Sequence, residues 1–448
     1  MKSVFGKSGD ADVPEVNIIP RSEHSISRED ISANALKVLY RLNGAGFQAH
    51  LVGGCVRDLM LGLHPKDFDV VTDATPEQIK GLFKNCRLIG RRFRLAHIVF
   101  GREIIEVATF RGHHETTGDK QDLAKQDKDG LLLRDNVFGS IEEDAQRRDF
   151  TFNAMYYNVA DYTIRDFANG EAAIEKREVE LIGDPEVRYR EDPVRMLRAV
   201  RFAAKLSMTI SPGTAEPITK LAHLLNNIPP ARLFEETLKL FLSGKGLATF
   251  ELMLDYQLVP PLFPQLTALL NDKNSKEYQF IRQVLINTDN RINSGQRVTP
   301  AFLYAALLWY PLEEHAAKLM AESGLTPHDA FNIAINDVIH RQTQRIMIPK
   351  RFSTVIRDIW ILQQRLPRRF GRRAYQLLNH PKFRAGYDFL LIRGQIEGGS
   401  LHELADWWTD FQHADAAKQK SLLNALRKQE GGNSNRPRRK KRKPRQEG

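Results

Sequence analysis

The hydrophobic rhythm of the chain changes near Pro193, and that change limits the fold more than any single motif. Beyond it, nearly every apolar segment repeats at three- and four-residue spacing, the signature of helices with one buried face. The spacing predicts helices over Val194–Leu206, Ala231–Leu242, Ala248–Tyr256, Lys276–Ile286, Pro300–Trp309 and Pro327–Gln344, ending near Lys428, with no fixed-period repeat. Before Pro193 the pattern alternates. Ile31, Ala35, Val38, Leu39 and Leu42 mark a helix closed by Gly44 and Gly46, and Phe47–Val52 reads as a strand broken at Gly53–Gly54. Val56–Leu61 follows as a helix, Asp67–Val71 as a strand, and Thr75–Phe83 as a helix with Pro76 in its first turn. Leu95–Phe100 and Glu103–Phe110 form a hairpin through Gly101–Arg102, while the polar stretch 113–140 reads largely as a flexible excursion. A chain with strands confined to its first part and helices thereafter is α+β: a mixed-sheet head followed by an all-α remainder.

At 448 residues the chain should hold two to four domains, and 42% hydrophobic content is enough to bury a sizeable core. No run of 18 apolar residues occurs and the first residues lack a signal-peptide segment, so neither a membrane span nor export is expected. Cys55 and Cys86, the two cysteines, make neither a zinc pattern nor a disulfide framework, which suits a reducing cytoplasm. The net charge is +11, and the last 13 residues alone carry +7 through Arg436, Arg438, Arg439, Lys440, Lys441, Arg442, Lys443 and Arg445 against one Glu. Such an arm repels itself into disorder. It is either a solubility tail or, the preferred reading, a contact for a nucleic acid.

Four clusters carry chemistry. In Lys66-Asp67-Phe68-Asp69-Val70-Val71, side chains two apart on a strand face one side, so Asp67 and Asp69 project together. Crowded carboxylates repel, and a divalent cation removes the repulsion; the alternative is a pair of solvated acids at a strand edge. Glu106, inside the apolar Glu103–Phe110 strand, either joins them or pairs with an arginine such as Arg111. Gly53-Gly54-Cys55-Val56-Arg57-Asp58 sits between strand and helix, where backbone can approach a phosphate closely. In Arg147-Arg148-Asp149-Phe150-Thr151-Phe152-Asn153-Ala154 the arginines suit a triphosphate, and Asp149 is their structural partner or a member of a metal site. In Glu191-Asp192-Pro193-Val194-Arg195, Asp192 suits a helix N-cap, and Arg195, Arg198 and Arg201 form a basic stripe opposite Leu197, Val200 and Ala204. Asp192 with Arg195 offers acceptors and donors to a base edge; ordinary capping beside a solvated basic face is the other reading.

Taken in order, these segments resemble the bacterial poly(A) polymerase and CCA-adding enzyme family, class II of the nucleotidyltransferases, over roughly residues 50–205. The resemblance implies a nucleotidyltransferase head (31–182) after a flexible arm (1–30). It also implies a helical neck with base and RNA binding (183–270), a helical body and C-terminal RNA-binding region (271–428), and a disordered basic tail (429–448). Asp67 and Asp69 would bind the two catalytic metal ions, Mg²⁺ or Mn²⁺, for a two-metal-ion nucleotidyl transfer, with Glu106 as third carboxylate and Asp149 a further catalytic candidate. Gly53, Gly54, Arg57 and Arg148 would hold the triphosphate or ribose of ATP. Asp192 and Arg195 would read the base without a template, supported by Arg198 and Arg201. The segment Leu88–Ile98 and the basic tail resemble the poly(A) branch, and no HD-type phosphohydrolase motif appears. The expected activity is AMP addition to RNA 3′ ends, with RNA-decay proteins as further partners. CCA addition to tRNA is the alternative, and a non-catalytic RNA-binding descendant is the rival from another class.

Overall fold

The structure, a computed structural model, describes residues 16–90, 94–112, 124–126, 132–135 and 137–431. The segment Arg91–Phe93 and the basic run from Arg436 to Arg445, both singled out in the sequence, lie outside the described residues.

An eight-stranded mixed sheet has the order β1-β10-β9-β2-β3-β6-β5-β4. Its strands are β1 (Asn17–Ile19), β2 (Ala49–Val52), β3 (Asp69–Thr72), β4 (Cys86–Ile89), β5 (Leu95–Phe100), β6 (Glu103–Thr109), β9 (Met155–Asn158) and β10 (Ile164–Asp166). A ribbon of β7 (Ala124–Gln126) and β8 (Leu132–Asp135) occupies part of the expected excursion, and β11 (Glu178–Val179) pairs with β12 (Thr209–Ile210). The pair β3–β6 is parallel, and every other neighbouring pair in the large sheet is antiparallel.

The helices of this part are α1 (Ala33–Gly44), α2 (Gly54–Met60), α3 (Pro76–Leu82), α4 (Ile141–Arg147), α5 (Gly170–Lys176), α6 (Pro185–Glu191), α7 (Val194–Leu206) and α8 (Pro212–Leu221). Ser32 caps α1 by accepting from the N–H groups of Asn34 and Ala35, and Ala35, Val38, Leu39 and Leu42 form its buried face. One part of the core gathers Val52, Val71, Phe110, Ile141, Ala145, Ala154 and Tyr156, so α4 is held against the strands that carry the carboxylates.

Two expectations are corrected here. Residues 17–30, read as part of a mobile arm, contain β1 and two short 3₁₀ turns; the pairing of Asn17–Ile19 with β10 is long-range and local composition does not signal it. The strand expected from Asp67 begins at Asp69, leaving Asp67 in the approach to β3.

The chain divides into two compact units, one formed by Met1–Pro229 with Ala248–Leu262 and the other by Pro230–Leu247 with Phe263–Gly448. The second is helical: α9 (Pro230–Phe241), the start of α10 (Gly246–Asp255), α11 (Lys276–Asn293), α12 (Pro300–Leu307), α13 (Trp309–Ser323), α14 (Pro327–Arg345), α15 (Lys350–Arg365), α16 (Arg372–Leu378), α17 (Phe383–Glu397), α18 (Gly399–His413) and α19 (Ala416–Gly431). No described helix is long and apolar enough to cross a membrane.

Candidate active site

Strand register assembles the first half of the site. Tyr156 on β9 lies opposite Val52, Val52 opposite Asp69, Asp69 opposite Glu106, and Glu106 opposite His97 on β5. Directly opposed residues share a face, so one row across five strands sets a phenol, two carboxylates and an imidazole on the same side. Exposure alternates from Asp67 (exposed) through Phe68 (buried) to Asp69 (exposed) and Val70 (buried), which puts both aspartates outward together. Although Asp69 faces outward, the surrounding protein strips water from its carboxyl and pushes it up to about 6, reinforced by the negative charges of Glu106 and Asp67 and opposed by Arg148. Glu106 meets His97 at 3.2 Å, not Arg111 as one reading of the sequence had it.

The Gly-Gly turn opens where this row passes β2. Gly53 has φ +75° and ψ −133°, a conformation closed to side chains, and so can end β2 and start α2 in one step. A Cβ on Gly53 would lie 3.5 Å from Arg148 Nη1. Arg148 is fixed from behind: its Nε and Nη2 donate to Asp144 at 3.1 and 3.0 Å, and its Nε also donates to the Tyr156 hydroxyl oxygen at 3.0 Å. Asp144, 3% exposed, also accepts from the Tyr156 hydroxyl at 2.7 Å and from the Arg111 N–H at 3.1 Å. Burial opposes the Asp144 charge, but Arg148, Tyr156 and Arg111 outweigh it and hold the carboxyl below its usual range.

Beside Arg148 is a cavity of about 230 Å³ lined by Arg111, Arg147, Arg148, Arg195 and Arg198 with Asp144, Asp149 and Asp192. Its excess of guanidinium over carboxylate suits an anion with several oxygens. Asp149 accepts from the Phe150 N–H at 2.8 Å, the Asn153 amide at 3.0 Å and Arg198 Nε at 2.6 Å. Burial works against its charge, yet Arg198, Asn153 and the Phe150 N–H hold it well below the carboxylate range. The N-cap of α7 is Pro193 and not Asp192 as expected; Asp192 closes α6, and its carboxylate accepts from the Val194 N–H at 3.3 Å.

The arginines of α7 are not a solvated stripe. Arg195 is 9% exposed and donates to Glu191 at 2.9 Å and to the Arg188 carbonyl at 2.7 Å. Arg198 turns to Asp149, and Arg201 stacks on the Phe202 ring at 4.7 Å. Arg57 sits behind the turn, 3% exposed, donating to Asp58 and to Asn153 at 2.9 Å while packing on Phe152 and Phe202.

Sequence reasoning missed Asp144, Tyr156, His97 and Arg188. Arg188 donates to the carbonyls of Arg147 and Arg148 at 2.9 and 2.5 Å, tying α6 to the arginine pair. Burial and the neighbouring Arg195 bring Arg188 down to about 10, with Glu191 working the other way. A signal for Asp144 existed: it lies four residues before Arg148, the spacing of a helical ion pair.

Family models match three segments: the poly A polymerase head domain over residues 49–180, the probable RNA and SrmB-binding site of polymerase A over 207–270, and the polymerase A arginine-rich C-terminus over 323–446. The chain is 58% identical to the poly(A) polymerase I of Escherichia coli O6:H1, across 97% of this chain and 94% of that one. The chain belongs to the poly(A) polymerase family. The Haemophilus influenzae poly(A) polymerase I is 50% identical over 91% of this chain and 90% of its own. A CCA-adding enzyme of Lactobacillus helveticus is 35% identical over only 51% of this chain and 55% of its own. Among solved structures, a tRNA-processing enzyme with CTP superposes with a TM-score of 0.59 at 21% identity, covering 88% of this chain and 98% of that one. The Thermotoga maritima CCA-adding enzyme complexed with tRNA gives 0.55 at 17%, covering 92% and 99%. These two share the fold of this chain.

Proposed function

We propose that the chain adds AMP from ATP to RNA 3′ ends without a template, through a site in which Asp67 and Asp69 hold a divalent metal beside the Gly53–Gly54 turn. The observation that carries this is the row Asp69–Glu106 lying next to the turn, with Arg148 reaching from there into the arginine cavity.

The donor set fits Mg²⁺ or Mn²⁺. Like charges and burial already disfavour the ionised Asp69, a penalty that a cation reverses. Among the described residues no three acids, histidines or cysteines close around an ion. Mg²⁺ keeps several waters and takes phosphate oxygens as ligands, so one or two carboxylates such as Asp67 and Asp69 can hold it. Once bound, the metal would ease deprotonation of the RNA 3′-hydroxyl and neutralise charge on the pyrophosphate. The hydroxyl oxygen attacks the α-phosphorus, the bond to the pyrophosphate breaks, and the RNA grows by one AMP.

Protein groups do the rest. Gly53 and Gly54 leave room for the triphosphate, and Arg148, held by Asp144 and Tyr156, meets its charge. Glu106, the third carboxylate, lies against His97. Asp192 and Arg195 line the cavity where a base would be read. Asp149 positions Arg198, and Arg57 supports the turn from behind through Asn153. A reaction that needs ATP and cellular RNA suits the cytoplasm, with RNA-decay proteins as the proposed partners.

One incubation tests the reading. Given an unstructured RNA, Mg²⁺ and ATP alone, the protein should build a long ladder, and Asp67→Ala or Asp69→Ala should abolish it while RNA binding persists. Dependence on CTP and tRNA, stopping after the third addition, would establish CCA addition instead. Full activity in either aspartate variant would remove the metal assignment.

A further inference from the structure

We infer that the turn joining α15 to α16, in the helical unit, is a stacking platform for single-stranded RNA. The inference rests on the RNA-extending reading above and lies outside the segment matched by the RNA-binding family model.

From Ile359 to Tyr387 the chain carries seven Lys or Arg and no Asp or Glu. Five of these cations, Arg365, Arg368, Arg369, Arg372 and Arg373, fall within nine residues. Arg365, Arg368, Arg372 and Arg373 are exposed, and among the described residues none of these four makes a side-chain hydrogen bond or ion pair. Mutual repulsion in so short a turn costs stability unless something else holds it in shape. The fold supplies that support. Leu366 and Ala374, both 0% exposed, anchor the two ends in a core shared with Trp408 and Phe411, and Trp408 Nε1 donates to the Leu366 carbonyl at 3.2 Å. Gly371, at φ +53°, turns the chain between them.

Two rings stand among these cations: Phe370 is 38% exposed and Tyr375 36%. A ladder runs inward from Tyr375. Tyr375 packs on Phe411 at 5.4 Å, Phe411 stacks on Trp407 at 4.7 Å, and Arg369 lies over Trp407 at 5.1 Å. The acids on α18 are Glu403, Asp406 and Asp410, and Asp406 faces His402 at 3.4 Å. An exposed ring fixed at its base (Tyr375) and a second exposed ring (Phe370), with exposed guanidinium groups in the same turn, suit stacked bases and the phosphates between them. A duplex, whose bases are already stacked, cannot use the rings.

The test uses the full-length protein without ATP and an unstructured RNA of roughly 30 nucleotides, which is long enough to span several stacking sites. Phe370→Ala and Tyr375→Ala should each weaken binding about tenfold with little change in salt dependence. Replacing Arg368, Arg372 and Arg373 together by Gln should flatten the slope of log affinity against log salt by about 2. Binding of a blunt RNA duplex should fall with the arginine variant only. Unchanged affinity and slope in all variants would overturn the platform and leave the turn to a protein partner. Equal losses for the duplex in the ring variants would overturn its single-strand character. Because no nucleotide is turned over, an inactive but RNA-binding enzyme would sink the proposed function without touching this result.

Discussion

Asp69, in the carboxylate row of the sheet, and Asp149, in the lining of the arginine cavity, have surroundings that push them in opposite directions. Asp69 meets other carboxylates and is raised to about 6; Asp149 meets a guanidinium, an amide and a backbone N–H and is held low. A group that keeps its charge through a fixed partner positions that partner, whereas a group that resists its charge awaits a cation. Asp149→Asn should therefore release Arg198, lower AMP addition and destabilise the protein by about 3 kcal/mol at neutral pH, the range for breaking a buried ion pair. The sign with pH follows from the depressed carboxyl. Its contribution is fully present above the unfolded value near 4 and disappears as pH falls towards the folded value. Urea denaturation of both proteins should show the gap shrinking below about pH 4, and a gap that stays constant to about pH 3 would refute the assignment.

Helix α7 acts through one ring. Arg57, Arg198 and Arg201 approach Phe202 at 5.0, 5.3 and 4.7 Å, and Phe150 and Phe152 meet it edge-on at 5.5 and 5.6 Å. Phe202→Leu keeps most of the volume but removes the π face, costing about 0.5–1 kcal/mol for each cation over it. The expected outcome is a higher KM for ATP with a melting temperature lowered by only a few degrees. An unchanged KM would mean that the guanidinium groups are placed by their acids alone. The helix itself was fully legible: Val194–Leu206 follows from its apolar spacing. So was the hairpin β5–β6; the aspartate pair was legible in part, since exposure alternates from Asp67 to Val70 as expected while the strand itself starts only at Asp69. What was not legible came from pairing at a distance. Nothing local in Tyr156 or His97 announces that register will set them in the row of Asp69 and Glu106. Similarly, the α7 arginines read as solvated until Glu191 and Asp149 are seen to claim them.

Over the whole molecule, charge is concentrated and not spread. The last 13 residues hold +7 of the net +11, leaving +4 for the other 435 residues. Within the helical unit the cationic excess gathers again in the turn at Arg365–Arg373. A polyanion that binds such a chain is drawn by these segments, and each phosphate they neutralise adds about 0.7 to the salt slope for a single strand. Phosphate recognition carries no sequence information, which suits an enzyme acting on many RNA 3′ ends. Deleting Arg436–Gly448 should weaken binding of an unstructured RNA at low salt and flatten its salt dependence by about 0.7 for each phosphate the tail had neutralised, while the rate of AMP addition at saturating RNA stays as it was. If tail and turn bind independently, combining the deletion with the triple Gln variant should give the sum of the two slope changes. A slope that the deletion leaves untouched would make the tail an aid to solubility alone, and a sum well short of additive would mean that both segments compete for the same phosphates.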